Sequence, residues 1–77
     1  ITLCPNETNA WEARGSTHFS LGYYAQSIID FTQAINLYSL NVKAYVGRAL
    51  SYFKIGNMSA FKADMITAAK LGSPEGK

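Results

Sequence analysis

The chain has 77 residues and a formal net charge of +2, and a domain this short buries only roughly 60 % of its unfolded surface, so it can hold one thin core. Nearly half of its residues are apolar and few are charged, which excludes a disordered segment; no apolar run nears the ~20 residues of a membrane-spanning helix, so no membrane insertion is expected. Its Lys and Arg residues are spread from Arg14 to Lys77 without a stripe, and no nucleic-acid partner is expected.

A single cysteine, Cys4, permits neither an internal disulfide nor a zinc knuckle, and a reduced thiol suits a cytoplasmic setting. In chain order, Trp11, Gly15, His18 and Phe19 recur at intervals of three and four, which predicts a first helix. Gly22 suits the left-handed residue just past its end. A second helix is predicted from Tyr24 to Leu37, with Ile28, Phe31, Ala34 and Ile35 on one side. Tyr45, Ala49, Tyr52 and Phe53 predict a third helix, closed by Gly56. Asn57 can then cap a fourth by accepting a hydrogen bond from an exposed N–H. That helix runs from Met58 to Leu71 with Phe61, Met65 and Ala68 on one side. Each pair of helices reads as a hairpin.

Sliding the chain on itself by 34 residues shows why the two hairpins look alike. Trp11 falls on Tyr45, Arg14 on Arg48, Gly15 on Ala49, His18 on Tyr52, Phe19 on Phe53 and Gly22 on Gly56. Asp30 falls on Asp64, Phe31 on Met65, Ala34 on Ala68 and Leu37 on Leu71, so two copies of one supersecondary unit are present. Their length and their order of aromatic and small residues resemble the tetratricopeptide repeat, carried here by Trp11, Gly15, His18, Ser27, Phe31 and Ala34, then by Tyr45, Ala49, Tyr52, Phe61, Met65 and Ala68. The resemblance implies an all-α fold of antiparallel helical hairpins stacked as a right-handed α-solenoid, with one hairpin over residues 8–41 and another over 42–74. Residues 1–7, with Leu3 in register with Leu37 and Leu71, read as the tail of a preceding repeat, and 75–77 as the start of a truncated following helix. Both ends of such a stack are expected to expose apolar surface able to self-associate, with Met58, Met65 and Leu71 partly uncovered. The sequence departs from the family pattern at His18 and Met65, where aromatics are usual, and at Ser39 and Ser73, where Pro is usual. Phe61 replaces a small residue and is expected to splay or shift the second hairpin.

Little in the chain suggests catalysis, and no cofactor or metal is expected. His18 holds a core aromatic position with no Asp, Glu or Cys one helical turn away in sequence, so packing is its expected role. Asp30 and Asp64 each follow an arginine, Arg14 and Arg48, by 16 residues. That repetition points to an ion pair between the helices of each hairpin rather than to an acid–base dyad. The glycines form no phosphate-binding run. The tripeptides "NET" at 6–8 and "NMS" at 57–59 match the glycosylation pattern, which is common by chance, and are given no role.

What remains is surface. The resemblance implies that the first helices of successive hairpins line a groove holding a protein or peptide partner, on Asn9, Glu12, Ser16, Phe19 and Ser20, then on Lys43, Val46, Leu50, Phe53 and Lys54. Residues 43, 46, 50, 53 and 54 share one helical stripe, so a ligand is expected to set apolar groups on Val46, Leu50 and Phe53 and acidic groups near Lys43 or Lys54. Phe19 and Phe53 have a second reading, as padding between hairpins. The carboxylate clamp that some family members use on chaperone tails is not matched, because Glu12 and Ser16 stand where Lys and Asn are needed and Gly47 where Arg is needed. The expected function is a protein-protein interaction module with a scaffold or adaptor role. The alternative is a structural spacer or self-association element without a separate ligand.

Overall fold

A computed structural model describes residues 5–72; residues 1–4 of the tail expected over 1–7, and the helix start expected at 75–77, lie outside them. Four helices follow one another: α1 (Pro5–Ser20), α2 (Tyr24–Leu37), α3 (Val42–Lys54) and α4 (Met58–Gly72), with no strand among the described residues. The α1 helix starts at Pro5, ahead of the hairpin boundary expected at Thr8. Proline suits a helical first turn, where its missing N–H would have no partner.

The turns form as the glycines predict. Gly22 and Gly56 both have φ of 86°. At the first turn, the Gly22 N–H donates to the Phe19 carbonyl at 3.0 Å and the Tyr23 N–H to the His18 carbonyl at 2.8 Å. At the second, Gly56 donates to Phe53 at 3.1 Å and Asn57 to Tyr52 at 2.9 Å. This pair of bonds satisfies the last carbonyls of a helix when the next residue is left-handed, a conformation that costs glycine little. Asn57 then caps α4 by accepting from the Ala60 N–H at 3.2 Å.

The helices pack in chain order, α1 on α2, α2 on α3 and α3 on α4, with a lesser contact of α1 with α3. The core is Phe31, Ala34 and Ile35 of α2 with Ala44 of α3, covered by Trp11 and Tyr45. Burying an aromatic ring and branched side chains here stabilises the junction by about 1.5–3 kcal/mol for each large side chain. Among the described residues α4 packs only on α3; Met58 and Met65 are exposed and Leu71 is partly buried, as expected of them.

The Phe61 ring lies against that of Phe53, with centroids 5.3 Å apart and planes tilted by 52°.

Candidate functional site

Each hairpin is locked by the ion pair that the repeated spacing predicts, in two different ways. In the second, Arg48 Nε and Nη2 donate to the two oxygens of Asp64, both at 2.8 Å. The hydrogen bonds it donates to Asp64 raise the Arg48 guanidinium above its ordinary value, and it stays charged throughout the working pH range. Tyr45 and Tyr52 flank the guanidinium, with ring centroids at 5.6 and 5.9 Å.

In the first hairpin, Arg14 reaches only one Asp30 oxygen, with Nη2 at 3.0 Å and Nε at 3.2 Å. The other oxygen accepts from His18 Nδ1 at 2.6 Å. His18 thus has a polar partner that sequence reading missed, because Asp30 lies on α2 and not one turn away on α1. Where the first copy has His18 the second has Tyr52, and Arg48 is left to hold both carboxylate oxygens. Arg14 also lies over Trp11, with its guanidinium carbon 4.8 Å from the ring centroid.

A second set of bonds joins the hairpins. Arg48 Nη1 donates to Thr32 Oγ1 at 3.1 Å. The Ser27 hydroxyl, which donates to the Gly15 carbonyl at 2.9 Å within the first hairpin, lies 2.9 Å from that of Ser51 across the junction. Asn41 caps α3 by accepting from the Ala44 N–H at 3.1 Å, while its amide donates to Glu12. Asn41→Ala removes the cap and that bond together and is expected to lower stability by about 1–2 kcal/mol, measured as the shift of a urea unfolding midpoint.

The same junction leaves a cleft of about 310 Å³ between α1 and α3, with Phe31 of α2 in its lining. Glu12 and Ser16 line it from α1, and Val42, Lys43, Val46 and Gly47 from α3. The structure thus gathers Glu12, Ser16, Lys43 and Val46 from the candidate residues around one opening. Asn9, Ser20 and Lys54 are exposed outside its lining. Leu50 and Phe53 stand 41 % and 49 % exposed further along α3. Phe19 is partly buried and packs edge-on to Tyr24, with centroids 5.4 Å apart. Phe31, Val42 and Gly47 were missed as lining residues. Phe31 falls on a second helix, and its access to the cleft depends on how the hairpins stack.

Two helical hairpins in one register, closed by the same turn and bridged by the same arginine–aspartate pair, define a helical-repeat chain. The tetratricopeptide repeat model matches residues 8–39, which take in most of the first hairpin. That match supports a tetratricopeptide repeat assignment for the chain, and the second hairpin rebuilds the same unit. Repeats of this family are in general protein-protein interaction modules and typically noncatalytic scaffolds. Among curated proteins and solved structures, none matches the chain.

Proposed function

We propose that this chain binds a protein partner along the groove formed by α1 and α3, with a scaffold or adaptor role. The observation that carries the reading is the cleft at the hairpin junction, continued along α3 by Leu50 and Phe53, two large apolar side chains turned to solvent. Apolar surface held out by a rigid helix beside an open cleft favours contact with another molecule. The test is selection from a random-peptide library on the folded chain, followed by Leu50→Glu. The variant should keep the helical circular-dichroism signal, because Leu50 faces out, and should lose at least about tenfold in affinity for the selected peptides. Full affinity in the folded variant would place the partner on another face.

The exposed Met58, Met65 and Ile66 of α4 favour a second reading, self-association without a separate ligand. Sedimentation equilibrium separates the two: a monomer at micromolar concentration that still takes a peptide supports the groove, and a tight oligomer that takes none supports self-association.

A further inference from the structure

The charges of the described residues are distributed unevenly in a way the sequence does not show. The carboxylates whose side chains are described are all engaged inside the fold: Asp30 by Arg14 and His18, Asp64 by Arg48, and Glu12 by Asn41. Lys43, Lys54, Lys62 and Lys70 are exposed and pair with no carboxylate among the described residues. All four stand on the second hairpin. Two of them, Lys43 and Lys54, lie at opposite ends of α3, three helical turns or about 16 Å apart. Since three turns nearly close the helical period, both project on the same side of α3 as Val46, Leu50 and Phe53.

We infer that the partner is an extended peptide segment in which two carboxylates bracket apolar side chains, the acids seated on Lys43 and Lys54 and the apolar groups on Val46, Leu50 and Phe53; this rests on the groove reading above. An extended chain advances about 3.3 Å per residue with alternate side chains on one face. Two acids on that face, about six residues apart, span about 20 Å, and lysine stems lean outward to meet them. The positions two and four residues after the first acid then point their side chains at the apolar stripe. The cleft of about 310 Å³, lined on this side by Lys43 and Val46, admits a side chain or two at the first acid's end, and Leu50, Phe53 and Lys54 continue the stripe along α3 outside it. Glu12 on the facing wall is held by Asn41 and repels acids from the α1 side, which directs them to α3.

Peptides selected from the random library, and a chain carrying Lys43→Glu with Lys54→Glu, provide the test by fluorescence anisotropy. The selected sequences should carry acids about six residues apart around apolar residues. The double variant should bind them at least about tenfold more weakly and should accept versions in which both acids are replaced by lysine. Selected peptides that need Leu50 but lack bracketing acids, or that bind the double variant unchanged, overturn the inference and leave the groove standing. Peptides indifferent to Leu50→Glu, or no selected peptide at all, overturn the groove as well. Displacement of the peptide by a single-stranded oligonucleotide at equal concentration would assign the lysines to polyanions in general and also overturn the inference.

Discussion

Arg48→Met is expected to cost about 3–5 kcal/mol, because it leaves the buried Asp64 carboxylate without its bidentate partner. A domain of this length has a total stability of only about 4–12 kcal/mol, so the variant should be partly or wholly unfolded. Asp64→Leu alone should cost less, since Arg48 keeps Thr32 at 3.1 Å and its long stem can carry the guanidinium toward water. Combining the two changes removes both charges together, and the double variant should be more stable than Arg48→Met by itself. It should still fall short of the parent by about 1 kcal/mol for the lost bond to Thr32. Arg14→Met should be milder, because Arg14 is 59 % exposed and Asp30 retains His18 at 2.6 Å. Urea unfolding followed by circular dichroism checks the series. Strict additivity of the Arg48 and Asp64 changes would mean that the bridge is not an energetic unit.

That the sequence disclosed this bridge and missed others follows from how repeats carry information. Arg14–Asp30 and Arg48–Asp64 lie within a hairpin, so they occur twice at one spacing and stand out when the copies are superposed. The turns are equally visible, because a left-handed residue is a local backbone demand and glycine meets it in either copy. Contacts between hairpins have no such echo. This chain has one junction between two copies, and Ser27–Ser51, Asn41–Glu12, Arg48–Thr32 and the Phe31 lining of the cleft each occur once there. Position in a repeat also says less than neighbours do. His18 holds an aromatic position yet turns its ring nitrogen to Asp30, and Phe61 holds a small-residue position yet lies against Phe53.

Gly47→Ala is expected to destabilise the chain by about 1–3 kcal/mol, against the usual direction of that change in a helix. Alanine ordinarily favours a helix over glycine by roughly 1 kcal/mol. Here its methyl group would lie 2.4 Å from Phe31 Cζ and 2.7 Å from both Cε atoms, inside any allowed contact. The ring has little freedom to retreat, since a methyl group on Gly15 would meet it at 3.0 Å on the α1 side. Phe31 therefore sits between two glycines, one from each first helix, and the overlap must be relieved by moving α3 or by an off-rotamer ring. Position in the repeat supports the same account. Gly15 and Phe31 of the first copy stand in register with Ala49 and Met65 of the second, so glycine accompanies the aromatic ring and alanine its replacement. Phe31→Leu alone should cost a few kcal/mol or less through a partial cavity at the core. Gly47→Ala combined with Phe31→Leu should be more stable than the sum of the two single losses, because the smaller side chain leaves room for the methyl group. Thermal or urea unfolding of the four chains gives the coupling. A coupling of zero, or a Gly47→Ala variant more stable than the parent, would show that the hairpins can shift apart and that Phe31 does not set the spacing of α1 and α3 around the cleft.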